Sequence, residues 1–104
     1  MKTKKIPNTI QKIADEFGLF IKPIRYTGWG RYKTGFDLIS ENITIELEPK
    51  ALKSNWRIHN KTENYTVWCD TKLNSNILRH VIQYKNNHGC GSFFEYRTGD
   101  KIPA

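Results

Sequence analysis

The chain has 104 residues, 38% hydrophobic and 12% aromatic, with a formal net charge of +7, a pI near 9.5 and a mean hydropathy of −0.66. This length fits one domain with one modest core, and the aromatic content argues against a disordered chain. No apolar run approaches the roughly 20 residues of a membrane span, and the basic N-terminus lacks the apolar region of a signal peptide. We therefore expect a cytoplasmic protein with no membrane partner.

The charge is uneven along the chain. Residues 1–36 carry eight cations and two acids, residues 37–49 carry four acids and no cation, and residues 50–104 carry nine cations and four acids. A basic excess favours a polyanionic partner, so we expect nucleic acid or a nucleoprotein complex. The alternative is a basic protein whose charge serves solubility alone.

The first predicted element is a helix over residues 8–17, where apolar residues recur at i, i+3, i+4 and i+7. Asn8 or Thr9 can cap its start, and Gly18 can end it.

A strand is predicted next, over residues 19–26. Pro23 lacks a backbone N–H, so this strand is expected at a sheet edge or is broken there.

The stretch RYTGWGRYKTGF, residues 25–36, combines four aromatic residues, three glycines and three cations. Sites for single-stranded nucleic acid combine cations that follow phosphates with aromatic rings that stack on bases. The alternative is a hairpin or compact loop whose aromatic side chains fold inward.

A hairpin is predicted from strands at 36–40 and 43–48. Apolar and polar residues alternate in the second strand, so its acids line one solvent-facing side. Pro49 ends this strand, and residues 50–55 could form a short helical turn.

A second hairpin is predicted from residues 56–58 and 65–70. Tyr65, Val67 and Cys69 share one face of its second strand, and Trp68 lies on the opposite face.

A second helix is predicted over residues 75–88, capped by Asn74 or Ser75 and ended by Gly89. A last strand is predicted over residues 92–97.

This order of elements predicts a single α+β domain with a largely antiparallel sheet and two packed helices. We expect the short basic segment 1–7 and the tail 98–104 to be flexible.

The cysteines and histidines do not form a recognisable metal pattern. His88 and Cys90 are separated by one residue, whereas structural zinc sites show ligand pairs with wider spacing. We therefore predict no metal and no cofactor. Cys69 is expected to be buried and Cys90 exposed, both as reduced thiols.

Asp37, followed by the run Glu48-Pro49-Lys50, resembles the PD-(D/E)xK nuclease pattern over residues 8–50. The resemblance implies two carboxylates that hold Mg²⁺ and a lysine that stabilises developing charge. Two departures count against it: Pro49 occupies a position that is normally an apolar strand residue, and Phe36 replaces the motif's proline. The alternative is a solvated hairpin face whose acids keep the strand soluble.

The sequence predicts a small non-enzymatic protein that binds RNA, DNA or an enzyme already holding nucleic acid. The first alternative is an anti-defence inhibitor from a phage or mobile element, such as an anti-CRISPR protein, whose acidic 41–48 face occupies a basic channel of its target. The second alternative is the Mg²⁺-dependent nuclease. The residues predicted to bind nucleic acid are Lys2, Lys4, Lys5, Arg25, Trp29, Arg31, Tyr32, Lys33 and Arg57.

Overall fold

The computed structural model describes residues 6–28, 31–50, 54–87 and 90–102. Two helices and a six-stranded, mostly antiparallel sheet form an α+β fold, as the sequence predicts. The elements are α1 (Asn8–Phe17), β1 (Phe20–Gly28), β2 (Arg31–Ile39), β3 (Thr44–Pro49), β4 (Trp56–Asn60), β5 (Tyr65–Cys69), α2 (Ser75–Gln83) and β6 (Ser92–Tyr96).

The strands lie in the sheet in their order along the chain, from β1 to β6. Neighbouring strands from β1 to β5 are antiparallel, whereas β6 follows α2 and pairs parallel with β5. A parallel pair needs a long crossover, and α2 with its flanking segments supplies it. Pro23 lies in β1 at the edge of the sheet, where a missing N–H is tolerated.

Helix α1 has the predicted bounds but a different start. Pro7 occupies the N-cap position and its side chain makes no capping hydrogen bond, so the prediction of an Asn8 or Thr9 cap is wrong. Gly18 ends the helix at φ 65°, the left-handed conformation that glycine adopts without a Cβ penalty.

Helix α2 is shorter than predicted and ends at Gln83, with Tyr84 in an extended conformation. Tertiary contacts explain the early end. The Tyr84 ring stacks on Tyr65 with centroids 3.8 Å apart, and the Asn86 backbone N–H donates to a Glu63 carboxylate oxygen at 2.9 Å. At its start, the Asn74 side chain accepts a hydrogen bond from the Ile77 N–H, as the sequence predicts.

The stretch from residue 25 to residue 36 is mostly strand. Strand β1 continues to Gly28 and β2 begins at Arg31, so most of this stretch is paired strand. Trp29 and Gly30 lie outside the described residues. The proposed helical turn at 50–55 lies partly outside them, because residues 51–53 are not described.

Both helices pack on one face of the sheet, and the core lies between the helices and that face. The predicted alternation in β5 is confirmed, since Tyr65, Val67 and Cys69 are buried and the residues between them are not. The buried core residues are Ile10, Ile13, Ala14, Leu19, Phe36, Leu38, Ile45, Leu47, Ile58, Tyr65, Val67, Cys69, Ile77, Leu78, Val81 and Ile82.

Among the residues whose burial the structure describes, the one fully buried polar side chain is that of Asn60. Asn60 at the end of β4 donates to the Val81 carbonyl at 2.9 Å and accepts from the Glu63 backbone N–H at 3.0 Å. Asn60 therefore connects the sheet to α2, and its two hydrogen bonds offset the cost of burying a polar side chain.

Phe93 and Phe94 are neighbours in the last strand and lie on its opposite faces, so the sequence alone does not determine which face points inward. Phe94 and Tyr96 pack against the core, whereas Phe93 is 69% exposed. In the part of the chain that the structure describes, no helix is long and apolar enough to cross a membrane.

Candidate nucleic-acid interface

The face of the sheet opposite the helices, called the open face below, carries the polar side chains of the strands. Because directly paired residues share a face, strand register places Asp37, Glu46, His59, Thr66 and Phe93 in one row across β2 to β6. A neighbouring row holds Glu48, Arg57, Trp68 and Glu95. The same alternation that buries the core thus brings together charges that are far apart in the sequence.

A network of ion pairs occupies the middle of the open face. Arg57 lies 2.5 Å from Glu46 and 3.4 Å from Glu48, Lys61 lies 3.2 Å from Glu46, and Lys33 lies 2.9 Å from Glu48. Three cations thereby neutralise two half-buried carboxylates. Burial alone would raise the pKa of Glu46, but the hydrogen bonds from Arg57 and Lys61 outweigh it, and the pKa lies below its usual value.

Asp37 has different surroundings although it lies directly opposite Glu46. Its Oδ1 atom is buried and has no hydrogen-bond partner among the described residues. Burial raises the pKa of Asp37; the negative charge of Glu46 adds to this effect, and the positive charges of Lys61 and Lys22 oppose it. Asp37 therefore has a buried oxygen without a partner, whereas the neighbouring Glu46 accepts hydrogen bonds from two cations.

His59 continues this row on β4. Its Nδ1 atom lies 2.8 Å from Thr66 Oγ1, so the ring is fixed against the neighbouring strand. Burial and the nearby charge of Arg57 lower the pKa of His59, which keeps the ring neutral at pH 7.

Aromatic side chains lie at both edges of the open face. Phe20 on β1 and Phe93 on β6 are each 69% exposed. Trp68 is half-buried on β5, and the Arg57 guanidinium lies 5.9 Å from its ring centroid. This distance is within the range of a cation–π contact, which holds Trp68 in place.

At the other edge of the sheet, β1 and β2 form a hairpin that extends past β3. The two strands pair at nine positions, and β3 pairs with β2 only at Phe36–Ile39. Residues 24–28 and 31–35, called the ribbon arm below, pair only with each other in the described sheet. The same register puts Glu48 and Pro49 beside Gly35 and Thr34, so the arm passes the end of β3 by about three residues, or about 10 Å at 3.4 Å per residue. Residues 21–36 carry four cations and no acid.

The structure places the predicted nucleic-acid-binding residues in three groups. Lys33 and Arg57 belong to the ion-pair network, and the Lys33 Nζ also donates to the Lys50 carbonyl at 3.0 Å, which joins the ribbon arm to the end of β3. Arg25 and the backbones of Arg31 and Tyr32 lie in the ribbon arm. The other predicted residues, Lys2, Lys4, Lys5 and Trp29, lie outside the described part of the chain.

The residues of the nuclease-like pattern do not come together as a metal site. Asp37 and Glu48 share the open face, but Glu48 is engaged by Lys33 and Arg57. Lys50 follows Pro49 with φ 50°, a left-handed conformation after the strand has ended. Among the described residues, no group of three His, Cys, Asp or Glu side chains could hold a metal ion.

The histidine on α2 belongs to a structural cluster. Tyr65 Oη lies 2.7 Å from His80 Nε2, and burial raises the pKa of Tyr65 to about 12 while it lowers the pKa of His80. Both groups are therefore uncharged at pH 7, and the hydrogen bond between them connects β5 to α2. A cleft of about 540 Å³ lies beside His80, lined in part by Arg79, Lys85 and Ile102.

Sequence reasoning missed the ion-pair network and the position of Phe93. The alternation of charged residues in β3 and β4 is the signal that could have indicated cross-strand pairs, because Glu48 and Arg57 are direct partners. The exposure of Phe93 does not follow from the sequence, because both faces of its strand carry aromatic residues.

No protein-family model, curated protein sequence or solved structure matches this chain.

Proposed function

We propose that this chain is a non-enzymatic protein that binds nucleic acid, alone or within a nucleoprotein complex, through its ribbon arm. The observation that carries the proposal is the arm itself: an acid-free, cation-bearing hairpin that extends past β3 at the sheet edge. Cations spaced along such a hairpin can follow a phosphate backbone, and the aromatic residues between them can stack on bases.

The ion pairs on the open face reduce the number of cations that are available to contact phosphates. Lys33 and Arg57 are already neutralised by Glu46 and Glu48, so contact with a phosphate requires exchange of one anion for another. Lys33 and Arg57 therefore contribute less to phosphate binding in this proposal than their charge alone suggests.

The same ion pairs weigh against the inhibitor alternative. An acidic strand that imitates phosphates needs carboxylates that are available to a partner's cations, whereas Glu46 and Glu48 are engaged within the chain. Within the acidic segment, Glu41 is exposed in the turn between β2 and β3. A pull-down from host lysate with and without nuclease treatment separates the two functions, since only capture through nucleic acid is lost on digestion.

Fluorescence anisotropy with a labelled ten-nucleotide single strand tests the proposal directly. A protein that neutralises three phosphates should lose affinity by roughly 20-fold when the salt concentration rises from 50 to 200 mM. Absence of binding at the lower salt concentration would contradict the proposal. Mg²⁺-dependent cleavage of the probe that disappears in Asp37→Ala would show an enzyme instead.

A further inference from the structure

The cleft beside α2 has a lining that suits a small organic anion. We propose that it binds such a molecule, with a carboxylate or phosphate group of the ligand at Lys85 and Arg79 and the apolar body of the ligand against Ile102. No residue of the ribbon arm lines this cleft. The site therefore adds a ligand to the proposed function and does not rest on it.

Two segments of the chain form the walls of the cleft. One wall consists of α2 and the residues that follow it, and it includes Asn76, Arg79, Gln83, Tyr84 and Lys85. The other wall is Ile102, which is half-buried and packs against the core. The volume of about 540 Å³ lies within the range of about 300–1,000 Å³ that is usual for small-molecule sites.

Hydrogen bonds hold the chain in place where it leaves β6 and approaches this cleft. The Thr98 N–H donates to Asp70 Oδ1 at 3.1 Å, and the Arg97 N–H donates to Asp100 Oδ2 at 2.9 Å. Gly99 lies between them at φ 91°, where a residue with a Cβ would be strained. Beyond this turn Ile102 meets α2, so the second wall of the cleft is part of the folded domain.

The lysines at this cleft differ from the cations of the open face. Lys85 lines the cleft and Lys101 precedes Ile102; both are exposed, and neither makes a hydrogen bond or an ion pair within the described ranges. The described lining contains no Asp or Glu. The C-terminal end of α2 contributes only about half a negative charge, which the two lysine charges exceed. The cleft therefore has an excess of positive charge.

Arg79 supplies hydrogen-bond donors rather than free charge, because Glu16 neutralises it. Its Nε and Nη2 atoms lie 2.7 and 2.8 Å from the two Glu16 carboxylate oxygens, and its Nη1 atom lies 3.1 Å from Asn76 Oδ1. A guanidinium carries five N–H donors, so two are left for a ligand. The two-point contact with Glu16 fixes the plane of the group, which reduces the entropy lost when a ligand binds.

These groups select a ligand by charge and by its apolar body. An oxyanion gains the charge of Lys85 and the remaining donors of Arg79, whereas a cation meets lysines that no acid offsets. Ile102 and the side chain of Tyr84 offer apolar surface to the rest of the ligand. An organic anion should therefore bind more tightly than the inorganic anion of the same charge.

An NMR titration of the full chain tests the site, with the side-chain amide signals of Asn76 and Gln83 as reporters within the cleft. The probes are phenyl phosphate and benzoate, which distinguish the two oxyanions, and benzylamine, which carries the opposite charge. At least one of the two anions should shift both reporters to saturation, and benzylamine should shift neither. Inorganic phosphate and formate, which lack the phenyl group, should bind at least about threefold more weakly than their phenyl derivatives.

Two variants separate the contributions of charge and apolar contact. Lys85→Gln should weaken binding of the organic anion about three- to fivefold, the effect of losing one exposed ion pair. Lys12→Gln, which makes the same change in net charge at an exposed position of α1, should weaken it by less than about twofold. Ile102→Ala should reduce the preference for the phenyl derivative to less than about twofold.

The site is refuted if neither organic anion shifts the reporters, if benzylamine shifts them as far, or if Lys85→Gln and Lys12→Gln bind with equal affinity. Ile102 packs against the core, so Ile102→Ala could also lower the melting temperature. The comparison of the two lysine variants decides the matter in that case, since both positions are exposed. None of these outcomes changes the test of the ribbon arm, which uses nucleic acid as its probe.

Discussion

Asp37 and Glu46 lie directly opposite each other on β2 and β3, and their surroundings shift their pKa values in opposite directions. Burial dominates at Asp37, whose Oδ1 atom has no hydrogen-bond partner among the described residues. At Glu46, burial is outweighed by hydrogen bonds from Arg57 and Lys61. On the same face, hydrogen bonds thus outweigh burial at Glu46, whereas the charges of Lys61 and Lys22 do not outweigh burial at Asp37.

The buried charge of Asp37 should reduce the free energy of unfolding at neutral pH. Asp37→Asn keeps the size of the side chain and removes its charge, so we expect the free energy of unfolding at pH 7 to rise by up to about 1 kcal/mol. Urea denaturation measures this gain. Asp15→Asn, at an exposed position on α1, is the control and should stay within about 0.5 kcal/mol of the wild type.

The pH dependence of this gain gives a sharper test. Because the pKa of Asp37 is raised in the folded state, folding binds its proton more tightly, and stability falls as the pH rises from the usual value of 3.8 through the folded pKa. The advantage of Asp37→Asn should therefore be absent below pH 3.8 and complete above the folded pKa. If Asp37→Asn raised the free energy of unfolding equally from pH 3 to pH 8, the charge of Asp37 would not be the cause of the gain.

The Arg57–Glu46 pair should be energetically coupled. A double-mutant cycle with Arg57→Gln and Glu46→Gln should give a coupling free energy of about 0.5–2 kcal/mol, since both side chains are half-buried. The exposed pair Arg79–Glu16 provides the comparison and should give a smaller, salt-sensitive coupling. Equal coupling in the two cycles would show that partial burial adds nothing to the open-face network.

Asn60 should be the most costly polar residue to replace. Asn60→Ala leaves the Val81 carbonyl and the Glu63 N–H without their partner, and we expect a loss of about 2–4 kcal/mol in the free energy of unfolding. Asn42→Ala, at an exposed position between β2 and β3, should cost less than about 0.5 kcal/mol. Thermal unfolding of the two variants would refute this assignment if their melting temperatures were alike.

The buried and exposed thiols should respond differently to both mutation and reagent. Cys69 is fully buried, so Cys69→Ala should cost about 1–2 kcal/mol, whereas Cys90→Ser should stay within about 0.5 kcal/mol of the wild type. A thiol reagent should modify Cys90 in the native protein and Cys69 only as fast as the chain unfolds. Rapid modification of two thiols per native chain would contradict the placement of Cys69 in the core.

Local sequence patterns correctly predicted the elements whose structure depends mainly on neighbouring residues. The apolar spacing and Gly18 fixed the bounds of α1, and alternation identified the buried face of β5, since burial and backbone geometry follow directly from residue type at those positions. The predicted length of helix α2 was too great, because Tyr84 leaves the helical path to stack on Tyr65. Helical periodicity in the sequence cannot reveal this contact. The sequence of the ribbon arm was compatible with a hairpin or a compact loop, and pairing between β1 and β2 makes its described residues strand.

The candidate site was less predictable than the fold. Its residues come from different strands, and the pairing of Glu48 with Arg57 depends on a register that is fixed only when the sheet assembles. Composition therefore indicated a basic protein but could not show that Lys33 and Arg57 are already paired with acids.

The salt dependence of binding in an arm variant tests the central claim most directly. If the ribbon arm contacts phosphates, Arg31→Gln removes about one contact, and the slope of log K against log salt concentration on a single strand should become shallower by about 0.7. Lys12→Gln, which removes a cation from the exposed side of α1, should leave the slope unchanged. Equal slopes for the wild type and both variants would contradict phosphate binding by the arm.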